Sequence, residues 1–336
     1  MLIALDSMGG DHGPAPAVAG ALLALNAVPD LGIVLVGDQA QLDPLLAATP
    51  PPAGRLDVFH ASQSVDMKEK PVDALRKKPD ASVFRAWQLM AEGKVDGVVS
   101  AGNTGAVVAG GLRTKKFLKC VQRPGIATVM PTAKGRCVIM DVGANVYPKP
   151  RHLLEYGVMG SVFAKHMLGA AAPKIGLMNV GEEEGKGHEL VRQTYDLFRN
   201  GPLKDSFLGN IEGRDIHRGA VDVVITDGFT GNVVLKLSEG VFEFVMGMVK
   251  ENVIGVLSAE RDAAANALKG LLAKYHYSAF GGAPLLGVDG VCIICHGSSK
   301  EAAFANALGV AAKDVRVKLN EKIVAELEAL PAAEGE

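Results

Sequence analysis

An apolar run that passes through a glycine-rich turn into a helix decides the fold: residues 2–14 read LIALDSMGGDHGP. The run is apolar up to Asp6, and the Ala-rich stretch after Pro14 is typical of a helix. Gly9 and Gly10 let the backbone turn sharply, so that its amides can face an anion. This strand–turn–helix unit predicts the first step of a layered α/β domain.

Eight more apolar runs follow, separated by Ala- and Leu-rich stretches of helical periodicity. They are GIVLVGD, RLDVFHA, GVVSAG, GIATVMP, CVIMDVGA, KIGLMNVG, DVVITDG and GVCIICHG. Strands that alternate with crossover helices form a mostly parallel sheet with helices on both faces. We therefore predict a three-layer α/β/α fold, with residues 1–330 as a single domain and residues 331–336 as a flexible tail.

Many of these runs end in a polar residue beside a glycine. In open α/β sheets, ligands bind in the crevice at the carboxyl ends of the strands. We expect such residues to ring one cleft, with some of them capping helices instead. They are Asp6, Asp38, Ser100, Asp141, Asn179, Asp227 and His296.

Composition excludes several classes of protein. Apolar residues make up 48% of the 336 residues and charged residues 21%, which suits a large core and not a disordered chain. The formal net charge of −2 provides no basic field for a nucleic acid. The N-terminus does not read as a signal peptide, and no apolar run approaches the ~20 residues that span a bilayer, so we expect a cytoplasmic protein with at most peripheral membrane contact.

The four cysteines include one misleading motif, because Cys292-Ile-Ile-Cys295-His296 matches the c-type haem attachment pattern. The motif lies in a predicted strand, whose alternation sends the two thiols to opposite faces of the sheet. Two thiols on opposite faces cannot hold one porphyrin. We expect no metal and no cofactor.

Two further strand-to-helix junctions carry donors suited to phosphate. SAGNTG opens a helix at residues 100–105, and DGFTGN opens another at residues 227–232, with Lys236 one turn beyond. Amides at a helix N-terminus bind anions, and a purely structural tight turn is the alternative at each junction. We predict that phosphate binds at Gly9, Gly10, Ser100, Asn103, Thr104 and Thr230.

The loop at residues 181–188, GEEEGKGH, places Lys186 after three adjacent carboxylates. The carboxylates repel phosphate, whereas the lysine attracts it. A divalent cation is the competing interpretation, but a solvated turn or helix start accounts for three adjacent glutamates, and we assign no metal.

Residues 237–274 show no strand pattern and carry a wide apolar face. Its members include Val241, Phe242, Val245, Met248, Val249, Val253, Ile254 and Leu257. We predict a helical pair that projects from the sheet. Its apolar face packs in a core or a dimer interface, or rests on a membrane surface, and the sequence leaves both open.

The ordered motifs closely resemble those of one family, the PlsX-type acyl-carrier-protein:phosphate acyltransferases of bacterial phospholipid synthesis. The resemblance covers roughly residues 1–325 and departs from the pattern at Tyr147-Pro148, Cys292 and Cys295. Its motifs are DSMGGDHGP, KEKPVDALRKKPDAS, SAGNTGA, DVGAN, NVGEEEGKG, ITDGFTGNVVLK, FGGAPLLGVDG and HGSS.

This resemblance implies a fold like that of the isocitrate and isopropylmalate dehydrogenases, and a homodimer. It implies transfer of a long-chain acyl group from the acyl carrier protein to inorganic phosphate, and delivery of the acyl phosphate to a membrane glycerol-3-phosphate acyltransferase. Phosphate acetyl- and butyryltransferases show a weaker likeness at VVSAGNTG and ITDGFTGN, which supports the same chemistry.

Such a reaction needs neither a strong base nor a strong acid, because phosphate is already nucleophilic and the leaving thiol has a pKa of about 8.5. The sequence has no G-x-S-x-G elbow and no evident Cys–His pair, so we predict direct attack without an acyl-enzyme. We assign Lys186 or His12 to offset the phosphate charge, and Asn232 or a neighbouring amide to hold the thioester oxygen. A loop-fixing hydrogen bond is the alternative role for His12.

The carrier protein is acidic in this class of pathway, so the resemblance also implies a basic docking surface. Five bases fall within eleven residues that contain no acid: Arg113, Lys115, Lys116, Lys119 and Arg123. Arg76, Lys77 and Lys78 form a second cluster, and an ordinary solvated face is the alternative for both.

Three other functions compete with this one. A dehydrogenase on the same fold needs a nicotinamide fingerprint and metal-binding aspartates, which are not assembled in this sequence. A CoA-dependent phosphotransacetylase differs in its choice of thioester. A non-catalytic carrier-binding protein binds the carrier without phosphate-dependent loss of thioester.

Overall fold

The computed structural model describes residues 1–275 and 281–330, which form eleven strands and twelve α-helices. The strands are β1 (Leu2–Asp6), β2 (Gly32–Gly37), β3 (Leu56–His60), β4 (Gly97–Ser100), β5 (Gly125–Thr132), β6 (Gly135–Met140), β7 (Ile175–Met178), β8 (Phe207–Ile211), β9 (Val223–Ile225), β10 (Ala283–Leu286) and β11 (Val291–Ile294). The helices are α1 (Pro14–Ala27), α2 (Gln39–Ala48), α3 (Pro71–Lys77), α4 (Ser82–Ala91), α5 (Thr104–Thr114), α6 (Pro150–Phe163), α7 (Glu189–Asn200), α8 (Gly213–Arg218), α9 (Gly228–Met248), α10 (Arg261–Tyr275), α11 (Glu301–Val317) and α12 (Leu319–Glu328). The predicted tail, residues 331–336, lies outside the described residues.

All nine predicted strands are confirmed, and two strands were missed. The β8 segment reads FLGNI, where a glycine and an asparagine interrupt the apolar pattern. The β10 segment reads APLL and follows two glycines, and proline is rare inside a sheet. Both strands form because their neighbours in the sheet supply pairing that the local sequence does not specify.

The strands form one sheet in the order β3-β2-β1-β4-β11-β10-β5-β6-β9-β7-β8. The first five strands in this order are parallel to one another, and so are the last four. The central strands β10 and β5 make the antiparallel pairings between these two blocks, so the blocks run in opposite directions. The mostly parallel three-layer fold is confirmed, and the carboxyl ends of the two blocks lie at opposite edges of the sheet.

Helices cover both faces of the sheet, which is why its central strands read as continuous apolar runs. On β1, Ile3 and Leu5 are fully buried in one core cluster with α1 and α11, while Ala4 is buried in another with α4. The same alternation places Cys292 and Cys295 in different clusters, as predicted. Burial raises the pKa of the Cys295 thiol to about 12.

The predicted helical pair is confirmed as α9 and α10. Within α9 the buried residues are Gly228 and Gly231, at its first turn, and the rest of the helix is half-buried or exposed. The short segments Val249–Val253 and Ile254–Val256 continue the chain beyond α9. No helix in the described part of the chain is both long enough and apolar enough to cross a bilayer.

Candidate active site

The first glycine turn is fixed by the buried carboxylate of Asp6. Its Oδ2 accepts a 2.6 Å hydrogen bond from the Ser100 hydroxyl, and its Oδ1 accepts one of 3.3 Å from the Met8 amide. Burial raises the pKa of Asp6, and hydrogen bonds from Ser100 and Ser82 act against that rise. The Ser100 oxygen also accepts a 3.1 Å bond from the Gly102 amide, so the ends of β1 and β4 are joined through side chains.

Three loops meet backbone to backbone next to this carboxylate. A Cβ on Gly9 would lie 2.6 Å from the Gly102 nitrogen, and a Cβ on Gly10, whose φ is +101°, would lie 3.1 Å from the Gly297 carbonyl oxygen. The Asp11 amide donates a 2.8 Å hydrogen bond to the same carbonyl. Glycine is therefore needed at these positions for close approach, and the loops after β1, β4 and β11 form one wall.

The side chain of Asn103 holds the second glycine turn, at residues 100–105, through hydrogen bonds to the protein backbone. Its Oδ1 accepts the Ala106 amide at 3.0 Å, which caps α5. Its Nδ2 donates to three backbone carbonyls at 3.0 to 3.3 Å, those of Asp66, Met67 and Glu69. The side chain predicted to contact phosphate is thus engaged with the protein, and the turn offers an anion its backbone amides and the Thr104 hydroxyl.

A second buried carboxylate, Asp141, organises the opposite wall. Its Oδ1 accepts backbone amides at 2.9 to 3.0 Å, those of Ile126, Gly143 and Ala144. Its Oδ2 accepts the Asn145 amide at 2.7 Å, and the Asn145 carbonyl accepts the Gly228 amide at 2.8 Å. Burial raises the pKa of Asp141, and the backbone hydrogen bonds act against that rise. This loop therefore fixes the position at which α9 begins.

The first turn of α9 is capped by Asp227. Its Oδ1 accepts the amides of Phe229 and Thr230, both at 2.9 Å, and its Oδ2 accepts the Thr230 hydroxyl at 2.7 Å. Thr230, predicted to bind phosphate, thus uses its hydroxyl and its amide in this cap. A side chain on Gly231 would overlap the Asp141 carbonyl oxygen, so glycine lets α9 lie directly on the Asp141 loop.

The two walls enclose a cavity of about 150 Å³ over the central strands β5 and β10. Thr104 lines it from the start of α5, and His296 lines it from the loop after β11. Asn232, Lys236 and Glu239 line it from α9. The structure therefore brings together Thr104 and Asn232, two of the predicted site residues, from the two halves of the sheet.

Two lining residues, Lys236 and His296, received no catalytic or phosphate-binding role from the sequence, although His296 was expected at the cleft. The sequence carries a signal for each residue, since Lys236 follows DGFTGN by one turn and His296 follows the last apolar run. Lys236 is exposed and has no ion-pair partner among residues 1–275 and 281–330. The Nδ1 of His296 lies 2.8 Å from the Ser298 hydroxyl.

His12 and Lys186 are not among the described residues that line this cavity. His12 is exposed on the turn before α1. Lys186 is 53% exposed, and its ammonium lies 4.0 Å from Glu183 Oε1. Because β7 is the parallel neighbour of β9, the loop that carries Lys186 begins beside the start of α9.

The five predicted docking bases lie on the last turn of α5 and on the connection to β5. Arg113 donates a 3.4 Å hydrogen bond to the Leu75 carbonyl. Lys119 forms a 2.6 Å ion pair with Glu328, whose hydrogen bond raises the pKa of Lys119. The other three are exposed: Lys115, Lys116 and Arg123.

Comparison with known proteins identifies the family. A family model described as fatty acid synthesis protein matches residues 1–322. The phosphate acyltransferase of Heliobacterium modesticaldum is 47% identical over 319 residues, 94% of each chain, and that of Desulfitobacterium hafniense is 44% identical over 99% of this chain and 100% of its own.

Solved structures agree in fold. A phosphotransacetylase from Streptococcus pyogenes superposes with a TM-score of 0.62 at 19% identity, and the EutD phosphotransacetylase from Staphylococcus aureus with 0.59 at 15%, each over 94% of both chains. At these identities the likeness concerns the fold alone. The relatives at 44–47% identity extend along nearly the whole sequence. The chain therefore belongs to the fatty acid synthesis protein family, together with the curated phosphate acyltransferases, and is an acyltransferase.

Proposed function

We propose that the protein transfers a long-chain fatty acyl group from the thioester of acyl carrier protein to inorganic phosphate, giving acyl phosphate for phospholipid synthesis. The observation that carries the proposal is the 150 Å³ cavity in which the start of α5 faces Asn232 and Lys236. It is small and polar on two sides, which suits a single tetrahedral oxyanion. The names of the relatives supply the reaction class.

Phosphate binds in this proposal at the start of α5. The α5 helix has eleven residues, so its free amides and its dipole favour an anion at Thr104. The Gly9–Gly10 turn is packed against Gly102 on the same wall, and Gly10 is its proposed amide donor to phosphate.

Lys236 offsets the phosphate charge from the α9 side of the cavity. Lys186, whose loop begins beside α9, is the second candidate for this role. His12, next to the Gly9–Gly10 turn, is a third candidate for this role.

The chemical step is a direct displacement. A phosphate oxygen attacks the thioester carbonyl carbon, the new C–O bond forms, the C–S bond breaks, and the electron pair leaves with sulfur as a thiolate. The Asn232 amide donates a hydrogen bond to the carbonyl oxygen as negative charge develops on it. The thiolate then takes a proton from the solvent.

The carrier protein docks in this proposal on Lys115, Lys116 and Arg123, which are exposed. Arg123 precedes Ile126, a cavity-lining residue, by three positions, which an extended chain spans in about 10 Å. A carrier bound there holds its thioester arm within reach of the cavity. The charges favour an acidic partner and raise its association rate.

The homodimer forms in this proposal through the outer face of α9. Apolar residues recur along that face every three or four positions and are 47–66% exposed. They are Phe229, Val233, Leu237, Val241, Phe244 and Met248. Val253 and Val256, beyond the helix, are 53% and 76% exposed and are the proposed point of peripheral contact with the membrane, where a glycerol-3-phosphate acyltransferase would receive the product.

The deciding experiment incubates the protein with palmitoyl-carrier thioester, with and without orthophosphate, and measures acyl phosphate directly by mass spectrometry. We expect product only when phosphate is present. Acetyl-CoA in a parallel reaction distinguishes a phosphotransacetylase, and carrier binding without loss of thioester would indicate a non-catalytic protein. Failure to consume either thioester in the presence of phosphate would overturn the proposal.

A further inference from the structure

A second cavity, of about 350 Å³, continues the active-site cavity along α9. The two cavities share three lining residues, Thr128, Leu235 and Glu239. The second one lies between β5 and α9 and reaches α8 at His217. We call this second cavity the α9 groove.

One wall of the α9 groove is a row of alternate residues on β5. Ile126 lines only the active-site cavity, Thr128 lines both cavities, and Met130 and Thr132 line only the groove. Alternate residues of a strand point to the same face, and the six residue steps from Ile126 to Thr132 span about 20 Å. The row therefore leads without interruption from the phosphate site into the groove.

The facing wall is the inner side of α9. Leu235, Glu239 and Phe242 have the i, i+4, i+7 spacing of a single helix face, turned away from the exposed apolar stripe. His217 joins the walls, with Nε2 3.2 Å from the Ser238 hydroxyl and Nδ1 3.3 Å from the Pro131 carbonyl. These contacts hold α8, α9 and β5 at a fixed separation.

We infer that the α9 groove holds the acyl chain of the thioester, and that its far end, at Thr132, His217 and Phe242, sets the preferred chain length. The inference rests on the proposed function and adds the location of the chain. A thioester carbon held by Asn232 has its alkyl chain directed along α9, where methyl and methylene groups of Leu235, Met130 and Phe242 replace water. Each methylene so buried favours binding by roughly fourfold.

The first test locates the chain without turnover. A palmitoyl-carrier thioester with a diazirine at the end of its chain is bound in the absence of phosphate, irradiated, and the attachment site mapped by mass spectrometry. We expect attachment within residues 130–133 or 238–243. Attachment at residues 249–256, or to a second copy of the chain, would overturn the inference whether or not the protein makes acyl phosphate.

The second test changes the length of the groove and measures kcat/KM for palmitoyl, octanoyl and butyryl thioesters. Ser238→Phe fills the groove beyond the active-site cavity and should lower the palmitoyl-to-butyryl ratio at least tenfold. Phe242→Ala opens the far end and should shift the preference toward longer chains. Loss of folding would lower activity with all three thioesters, so it cannot explain opposite shifts in chain-length preference from the two variants.

Two controls separate filling from other effects. Ser238→Ala removes the contact with His217 without filling the groove, and Ser258→Phe adds the same ring at an exposed position beyond α9. Ser258→Phe should keep the chain-length ratio of the unmodified protein, and Ser238→Ala, which loses the contact with His217 and adds no volume, should not reproduce the tenfold loss of palmitoyl preference. An unchanged ratio in Ser238→Phe, with acyl phosphate still formed, would refute the groove and leave the proposed function intact.

Discussion

The Ser100 hydroxyl donates a 2.6 Å hydrogen bond to the carboxylate of Asp6, 94 residues earlier in the chain, and both residues are buried. This bond holds the first glycine turn against the second, so that Gly9 lies on Gly102. The wall that carries the proposed phosphate site therefore depends on two side chains that do not line the cavity themselves.

Removing that bond should weaken folding and phosphate binding together. Ser100→Ala leaves a buried carboxylate oxygen without its donor, which costs about 1–3 kcal/mol of unfolding free energy. Urea unfolding and the phosphate KM measure the two effects. Ser62→Ala is the matched control, since its hydroxyl donates a 2.7 Å bond to Asp80 at the surface. Equal destabilisation in the two variants would contradict this role for the buried pair.

Lys236→Ala should raise the phosphate KM roughly tenfold to hundredfold, because a hydrogen bond to a charged group contributes about 1.5–3 kcal/mol. Lys186→Ala should have a smaller effect, since its ammonium faces Glu183 and its side chain is half-exposed. Steady-state kinetics with phosphate as the varied substrate compare them. A larger rise in the phosphate KM for Lys186→Ala than for Lys236→Ala would instead assign the charge-offsetting role to Lys186.

Asn232→Ala should lower kcat by roughly 10²-fold, the usual cost of removing one oxyanion donor, and leave the phosphate KM within a few-fold. Asn252→Ala, which removes an exposed amide that donates a 3.2 Å bond to the Met248 carbonyl beyond α9, should change neither. If Asn232→Ala instead raised KM at constant kcat, its amide would bind the ground state and not the oxyanion.

Reversing the docking charges should weaken the carrier substrate alone. Replacing Lys115, Lys116 and Arg123 by glutamate is expected to raise the KM for the palmitoyl-carrier thioester, most strongly at low salt, because association is steered by charge. The phosphate KM should stay constant. Lys94→Glu, at an exposed lysine paired with Glu92 at 2.8 Å, is the control. A carrier KM that did not respond to the triple reversal would place the carrier elsewhere.

Asp314 should make stability depend on pH. The residue is 4% exposed on α11, and burial raises its pKa to about 7, above the ordinary value of 3.8. Between about pH 4 and 7 the folded protein therefore keeps a proton on this carboxyl that the unfolded chain has released. The free energy of unfolding consequently falls progressively as the pH rises from about 4 to 7.

Asp314→Asn removes that ionisation. The variant should melt several degrees higher than the unmodified protein at pH 8, and the difference should shrink at pH 5, as measured by thermal unfolding at both values. A constant difference across this range would show that the carboxyl does not titrate between the two pH values.

Strand identity was predictable because nine strands carry their own apolar, β-branched pattern. The chemistry-bearing junctions were also predictable, since Gly9, Thr104 and Asn232 follow strands directly in glycine-rich turns. The direction of the second parallel block could not be predicted from the sequence. The β10 segment reads APLL, and nothing in those residues indicates that the strand pairs antiparallel on both sides. Residues that follow strands of both blocks nevertheless line one cavity, as Thr104, Asn232 and His296 do.

The sequence by itself determined the layered α/β fold, the glycine turns and the helical pair, since these follow from the periodicity of apolar residues and from the backbone freedom of glycine. Only the tertiary structure decided which polar groups share a cavity. It turned the Asn103 amide toward the 66–69 carbonyls and placed Lys236 across from Thr104. The reason is that side chains from opposite halves of the sheet meet only after the antiparallel centre has fixed the spacing and direction of both halves.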